Sequence, residues 1–235
     1  MLAGDYRPRG TRPTQNMQAY DLYLKGLDYL RRPATENVLE KAQRRFSQAI
    51  ELDPQFASAH AGLCNTFIAL YVLSKNLGQF ESAEKYCHRA LTLNIETGDA
   101  HIALGKLYLH SGQYARAGDE FQRSIALDEL SISAYYGLAD SLIARNQLAP
   151  AEATLRAAIE LKPTVWRSYL EMGSFLFGAG RSAEAIPFYL KAIELVPDNM
   201  EAYVSLGAAY YMVEDFEAAA TSWRHSIALS PSATA

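Results

Sequence analysis

A histidine and a cysteine four positions apart, His60 and Cys64, are the residues in this sequence whose types and spacing could bind a metal ion. Residues four apart share one face of an α-helix, and imidazole and thiolate are ligands that zinc prefers. However, the position of Cys64 recurs along the chain as glycine or alanine, which indicates close helix packing at that position. We therefore predict that the pair packs between helices and that the protein has no metal site and no cofactor.

The second cysteine, Cys87, is expected to lie near Cys64. Two thiols in a chain of 235 residues do not form a disulfide framework, and they are typical of a reducing compartment. We expect two buried free thiols, with a disulfide as the less favoured alternative. The location is accordingly predicted to be cytoplasmic, or periplasmic if the chain belongs to a longer membrane-anchored protein.

The sequence contains no motif that would support catalysis. It has no P-loop, G-x-S-x-G, H-E-x-x-H or C-x-x-C pattern, and its Asp and Glu residues are spread along predicted helix exteriors. The formal net charge of −4 argues against binding to nucleic acid, which normally requires a basic surface. No apolar run approaches the length of a membrane span, and residues 1–14 do not resemble a signal peptide. The chain is predicted to have no catalytic residues and to bind neither nucleic acid nor membranes.

The helices that must position any binding residues repeat at a fixed period. An alanine recurs at intervals of 41, 34, 34, 34 and 34 residues, and a bulky residue follows it by four except where Cys87 stands. The alanines are Ala42, Ala83, Ala117, Ala151, Ala185 and Ala219. A small residue recurs upstream of each, at Gly26, Cys64, Gly105, Ala139, Gly173 and Gly207. Small residues allow two helices to cross closely, so this pattern predicts six antiparallel hairpins and twelve helices.

The same period predicts the domain organisation. Residues 1–16, rich in Arg, Pro and Gly, are expected to be a flexible lead-in, and residues 17–235 an array. The repeats are placed at about 19–56, 57–97, 98–131, 132–165, 166–199 and 200–233. Repeat one has four surplus residues and repeat two has seven, so the first helix of repeat two is expected to run about two turns longer. Left-handed turn residues are expected between the helices at Gly78, Gly112, Asn146 and Gly180.

The stretch from Trp166 to Asn199 resembles a tetratricopeptide repeat. It carries Tyr169, Gly173 and Leu176, then Ala185, Tyr189 and Pro197, in the spacing of that family. Looser copies of its ending, such as residues 49–54 and 158–163, recur along the chain. The resemblance implies an all-α, right-handed superhelical solenoid of six TPR helix-turn-helix hairpins. It also implies a non-catalytic scaffold that binds a peptide or a helix of a partner protein in a concave groove lined by the first helices.

Residues 12–26 are similar to the start of the repeat region in bacterial signalling proteins that carry an adenylate/guanylate cyclase or a winged-helix domain. This similarity implies an alternative function as a regulatory or sensor domain of such a protein. A third alternative is an assembly factor for secretion or pilus biogenesis.

Helical geometry predicts which side chains line the groove, because residues following the small and large positions face away from the second helix. They form two apolar rows with a mixed polar row between them, although packing between neighbouring first helices is an alternative role for them. The predicted groove residues are Tyr23, Asn65, Ile68, Ile102, Lys106, Leu109, Tyr136, Asp140, Ile143, Leu170, Ser174, Phe177, Val204 and Tyr211. They do not form the Lys/Arg/Asn clamp by which chaperone adaptors of the family hold a terminal carboxylate. An apolar peptide or an amphipathic helix suits these residues better.

The last predicted helix, residues 216–229, carries Trp223 and Ile227 on a face that the next repeat would cover in an array. We expect either that the array continues in a longer protein or that this face pairs with another chain. Self-association through Trp223 and Ile227 is therefore predicted.

Overall fold

The computed structural model describes residues 14–93 and 98–229, and within these ranges it contains twelve α-helices and no β-strand. The helices are α1 Met17–Leu30, α2 Glu36–Leu52, α3 Ala57–Ser74, α4 Leu77–Leu93, α5 Gly98–His110, α6 Tyr114–Leu127, α7 Ile132–Ala144, α8 Leu148–Leu161, α9 Trp166–Gly178, α10 Ser182–Leu195, α11 Met200–Met212 and α12 Phe216–Ala228. The prediction of an all-α fold built from helical hairpins is confirmed. Most of the predicted lead-in, the end of repeat two and the final residues lie outside the described ranges.

The chain forms two compact units, each with three hairpins. The N-terminal unit spans Met1–Glu129 and contains α1 to α6, and the C-terminal unit spans Leu130–Ala235 and contains α7 to α12. Within each unit a second helix packs against the first helix of the following hairpin, as α2 does against α3 and α10 against α11. Each hairpin therefore buries apolar surface against its neighbours in the same unit.

The repeated alanines and bulky residues form the centre of each hairpin. Ala42, Ala117, Ala151 and Ala185 have no exposed surface, and neither do the rings of Phe46 and Phe121. In the C-terminal unit these positions belong to a continuous core that includes Met172, Leu176 and Tyr189. The 34-residue period thus corresponds to the buried contact between the two helices of a hairpin.

The turn residues follow the sequence prediction at three of four positions. Gly112, Asn146 and Gly180 have φ of 78°, 58° and 76°, which is the left-handed region where glycine and asparagine are tolerated best. Gly78 does not serve this role, because α4 begins at Leu77 and Lys75, with φ of 53°, ends α3 instead. The short turn of repeat two therefore lies earlier in the sequence than predicted.

Repeat two is longer than its neighbours, but both of its helices share the extension. Helix α3 has 18 residues where α5 has 13, and α4 has 17 where α6 has 14. The connecting turn is one residue shorter, which accounts for the surplus of seven. The first helix of repeat two was predicted to be about two turns longer, but α3 is only five residues longer than α5. The remaining surplus residues lengthen α4.

Helix α3 is also apolar enough, by length and composition, to cross a membrane, with a mean hydropathy of 1.2 over 18 residues. The sequence-based statement that no run approaches that length is therefore wrong. The helix packs against α2, α4 and α5, and half of this 18-residue stretch is buried. These contacts explain its composition as that of a central core helix.

Cys64 and Cys87 are joined by a disulfide bond between α3 and α4, with their Cα atoms 4.9 Å apart. The expectation of two free thiols is therefore corrected. Both residues are fully buried, and they occupy the small and bulky positions that hold Gly105 and Phe121 in repeat three. Two cysteines at facing positions of one hairpin lie within bonding distance, so here the covalent bond replaces the contact between ring and glycine.

Salt bridges and hydrogen bonds link successive hairpins on the surface of the N-terminal unit. Glu84 of α4 accepts hydrogen bonds from the Tyr108 hydroxyl of α5 at 2.8 Å and from Arg116 of α6 at 2.9 Å. Burial opposes the charge of Glu84, but these two hydrogen bonds hold the pKa of its carboxyl below the ordinary value. In the C-terminal unit, Glu152 of α8 accepts from Arg181, which precedes α10, at 2.6 Å. Glu84 and Glu152 each follow the repeated alanine, so the two units use the same position for the same purpose.

Candidate functional site

The structure divides the predicted groove residues by exposure. Ile68, Ile102 and Leu170 are buried, with 7%, 9% and 3% of their surface exposed, and they contribute to the cores of their units. The exposed ones are Asn65, Lys106, Asp140, Ile143, Ser174, Val204 and Tyr211, and the half-buried ones are Tyr23, Leu109, Tyr136 and Phe177. The polar middle row is thus exposed, while parts of the apolar rows pack between first helices, which was the alternative role for them. The sequence pattern identifies a helix face but does not show how closely the next helix covers it.

Helices α7 and α9 of the C-terminal unit enclose a cavity of about 440 Å³. Its lining residues are Asp140, Ile143, Asn146, Leu148, Leu155, Glu171, Ser174, Phe175, Gly178 and Ala179. The structure therefore brings together three predicted groove residues, Asp140, Ile143 and Ser174. It adds residues that the sequence analysis missed, because they belong to the turn after α7, to α8 and to other faces of α9.

The cavity exists because α7 and α9 are held together near their N-terminal ends and enclose space towards their C-terminal ends. The Tyr136 hydroxyl of α7 and the Ser168 hydroxyl of α9 form a hydrogen bond of 2.8 Å. Gly178 has no side chain, and a Cβ atom placed there would meet no atom within 4 Å, so this end of the cavity is open.

Two carboxylates make the cavity acidic. Partial desolvation by burial, together with the nearby negative charge of Glu171, raises the pKa of Asp140 to about 6. Glu171 is paired with Arg167, whose Nε donates to Oε1 at 3.0 Å. Arg167 therefore neutralises Glu171 in part and leaves Asp140 without an ion pair among the described residues.

The remaining walls of the cavity are apolar. Leu155 and Phe175 are buried at its base, with 2% and 7% exposure, and Ile143 and Leu148 stand at its edge with 37% and 41% exposure. An aliphatic stem that ends in a positive charge is complementary to such walls and to the Asp140 carboxylate. Within residues 14–93 and 98–229, no group of three or more His, Cys, Asp or Glu side chains is placed to hold a metal ion.

One of the two histidines of repeat three, His101, has a partner that the sequence did not identify. His101 Nδ1 lies 2.7 Å from Glu120 Oε2, and both side chains are largely buried between α5 and α6. Arg123 also donates to Glu120. The spacing of 19 residues between His101 and Glu120 is local to one repeat, but only the pairing of the helices shows that the two face each other.

Comparison with known families identifies the repeats. Models described as tetratricopeptide repeat match residues 75–132 and 132–165, and a model described as TPR repeat matches residues 173–213. A search of curated protein sequences found no match.

Solved structures share the fold at low sequence identity. PilW, described as a widely conserved type IV pilus biogenesis factor, is 16% identical with a TM-score of 0.72, over 88% of this chain and 91% of PilW. PilF of Pseudomonas aeruginosa is 18% identical with a TM-score of 0.69, over 92% and 93% of the two chains. YrrB, described as a TPR protein with an unusual peptide-binding site, is 23% identical with a TM-score of 0.51, over 80% and 93%. At these identities the similarity shows the fold alone.

Proposed function

Because the chain belongs to the tetratricopeptide repeat family, we propose that it is a non-catalytic scaffold that binds an extended segment of a partner protein. We further propose that the cavity between α7 and α9 receives an arginine or lysine side chain of that segment. The observation that carries the proposal is the Asp140 carboxylate, which lines an otherwise largely apolar cavity and forms no salt bridge among the residues that the structure describes.

The electrostatics of the cavity favour a cation over a neutral group. A ligand cation placed beside Asp140 would relieve the repulsion between its carboxylate and that of Glu171 and would offset the desolvation of Asp140. The neighbouring apolar residues, Ile143 and Leu148, would cover the aliphatic part of the ligand side chain. The affinity should therefore depend on both the charge and the length of that side chain.

Titration with a matched pair of peptides tests this proposal. The probes are an acetylated tripeptide amide with central arginine and its citrulline analogue, which has nearly the same shape without the charge. We expect the arginine peptide to shift the NMR signals of Asp140, Ile143 and Ser174. The citrulline peptide should bind at least about tenfold more weakly. Equal binding of the two peptides would show that the cavity does not recognise a cation.

The pH dependence and a charge-neutral variant provide the control. Ionised Asp140 is the form that binds a cation, and its pKa is raised to about 6. Affinity should therefore fall as the pH is lowered through about 6 and be nearly constant above pH 7. Asp140→Asn should abolish this dependence, whereas Asp198→Asn, an exposed residue of the same unit, should leave it unchanged.

An assembly factor, in the sense of the pilus biogenesis factor PilW that shares the fold, is a second candidate. It is favoured by the disulfide between Cys64 and Cys87, because disulfides persist in oxidising compartments such as the periplasm. The expectation of a cytoplasmic location depended on free thiols, so the periplasmic alternative is strengthened. The sensor-domain alternative depends on the sequence similarity of residues 12–26 and gains no further support. Fractionation of the native host would separate these locations.

A further inference from the structure

A second cavity, of about 500 Å³, lies beside α3 and α4 in the N-terminal unit and is basic. His60, Lys85, Tyr86, His88, Arg89 and Thr92 line it. It is separate from the acidic cavity of the C-terminal unit, and its residues were not among those predicted to form the groove. A binding role for it goes beyond the function proposed above.

His60 is one of the lining residues, and its side chain contains an unsatisfied polar atom. Its side chain is 6% exposed, and its Nε2 lies 3.1 Å from the Pro54 carbonyl oxygen, to which it must donate because a carbonyl only accepts. Nδ1 is buried and has no hydrogen-bond partner among the described residues. Since buried polar atoms are nearly always paired, this atom indicates a missing ligand.

The cavity also holds two permanent cations, Lys85 and Arg89. No carboxylate in the described ranges forms a salt bridge with Lys85 or Arg89. Asp53, an acidic residue close to His60, is already engaged, because it accepts hydrogen bonds from Thr14 and from the Gln55 backbone. Glu84, as described, accepts from Tyr108 and Arg116.

Repeat three shows the same position with an anion in place. Counted from the small and bulky positions, His60, Tyr86 and Arg89 of repeat two correspond to His101, Glu120 and Arg123 of repeat three. There the Glu120 carboxylate lies between the histidine Nδ1 and the arginine. In repeat two Tyr86 replaces this carboxylate, so both the histidine and the arginine lack the partner that their counterparts have.

We propose that the cavity of repeat two binds a phosphate group, which supplies the negative charge that Glu120 supplies in repeat three. The phosphate oxygens accept hydrogen bonds from Arg89 and Lys85, and one oxygen faces His60 Nδ1. A phosphate carries up to two negative charges and so balances both permanent cations, whereas a carboxylate balances one.

The protonation state of His60 favours phosphate over anions that carry no proton. Burial, reinforced by the positive charge of Arg89, lowers the pKa of His60 below its ordinary value, so the ring is neutral near pH 7. With its proton on Nε2, the neutral ring offers only a lone pair at Nδ1. A phosphate with one protonated oxygen donates to that lone pair, and sulfate and acetate at neutral pH cannot.

Titration of the whole chain with inorganic phosphate, sulfate and acetate at equal ionic strength tests the site. We expect phosphate to shift the ¹⁵N signal of His60 and to bind at least about tenfold more tightly than sulfate or acetate. O-phosphoserine amide is the fourth probe, compared with inorganic phosphate at about pH 6, where a phosphate monoester still carries a proton in a large part of its population. Tighter binding of this probe than of inorganic phosphate would assign the site to a phosphorylated partner, and the reverse would assign it to free phosphate.

Two variants use repeat three as an internal reference. Tyr86→Glu supplies a carboxylate at the position of Glu120 and should abolish phosphate binding while raising the melting temperature. Glu120→Ala removes the internal carboxylate and should create a second anion site, visible as a lower melting temperature that acetate or phosphate restores.

Arg89→Ala should lower phosphate affinity about tenfold, and Arg44→Ala, on the exposed face of α2, is the matched control.

Two results would overturn the proposal. If no anion shifts the His60 signal, the cavity is not an anion site. If acetate or sulfate binds as tightly as phosphate, or if Tyr86→Glu binds phosphate as well as the unchanged protein does, phosphate is not the ligand that the site recognises.

Discussion

At the scale of single residues, the contact that recurs along the chain is an aromatic ring lying on a glycine. A Cβ atom added at Gly26 would lie 2.5 Å from the Phe46 ring, and one added at Gly105 would lie 2.8 Å from the Phe121 ring. The Tyr189 ring covers Gly173 in the same way, and the Trp223 ring covers Gly207. The small residue is required because the ring fills the space that a side chain would occupy.

Gly173→Ala is therefore expected to destabilise the protein. The new Cβ would lie 2.6 Å from Tyr189 Cε1, and the ring is 1% exposed and cannot move aside. Overpacking of this kind costs about 1–3 kcal/mol, which should appear as a lower melting temperature. Gly178→Ala, on the same helix, meets no atom within 4 Å and should leave stability unchanged or raise it slightly. Equal effects of the two substitutions would contradict this explanation.

At the scale of helices, repeat two has a disulfide bond between its two helices where other repeats have an aromatic ring packed on a glycine. The disulfide joins α3 and α4 across a sequence separation of 23 residues and occupies the positions used elsewhere by glycine and an aromatic ring. The two helices are also the longest pair of the described hairpins, at 18 and 17 residues. The covalent link therefore lies in the hairpin that departs most from the common length.

Reduction is expected to destabilise the N-terminal unit. Loss of a disulfide with a loop of this size typically costs about 2–4 kcal/mol, so refolding in reductant should lower the melting temperature of the unchanged protein. The double variant Cys64→Gly, Cys87→Phe restores the pair used by repeats one and three, and its melting temperature should not respond to reductant. Alkylation followed by mass measurement checks the bond directly. Two reactive thiols in the non-reduced, unfolded protein would show that the bond is absent.

At the scale of the whole molecule, each compact unit has its own core, and α11 and α12 of the C-terminal unit carry an exposed aromatic patch. This patch consists of Tyr211, Phe216, Trp223 and Ile227. Tyr211 is 54%, Phe216 58% and Ile227 60% exposed. The Tyr211 ring contacts the Phe216 and Trp223 rings at centroid distances of 5.5 and 6.1 Å. Exposed apolar side chains that contact one another mark an interaction surface more often than isolated ones do.

We expect the protein to form a dimer through this patch, as the sequence predicted for Trp223 and Ile227. The molar mass measured by light scattering should rise with concentration. Ile227→Asp should hold the protein as a monomer, because it places a charge in the buried contact. Leu190→Asp, at a residue of the same unit that is 45% exposed, is the control and should dimerise normally. A monomer at high concentration would contradict the prediction.

The helices themselves could be predicted because their causes are local. The alternation of small and bulky positions fixes which helix faces meet, and Gly112 and Gly180 mark turns that need positive φ. The turn of repeat two could not be located in this way, since Lys75 takes the left-handed conformation although glycine is available at Gly78. In repeat two the position of the turn is set by the lengths of α3 and α4 and not by a glycine.

The sequence by itself determined the repeat, the hairpins, the absence of recognisable catalytic motifs and the helix faces that carry Asp140 and Ser174. Only the tertiary structure decided which of those faces are covered, because burial depends on how closely the next helix approaches. In the folded protein Ile68 and Leu170 are buried, a cavity lies beside Asp140, and Cys64 is bonded to Cys87. The basic cavity likewise depends on the tertiary structure, because its lining residues belong to both α3 and α4. Its interpretation depends on the Glu120 carboxylate of repeat three, which Tyr86 replaces in repeat two.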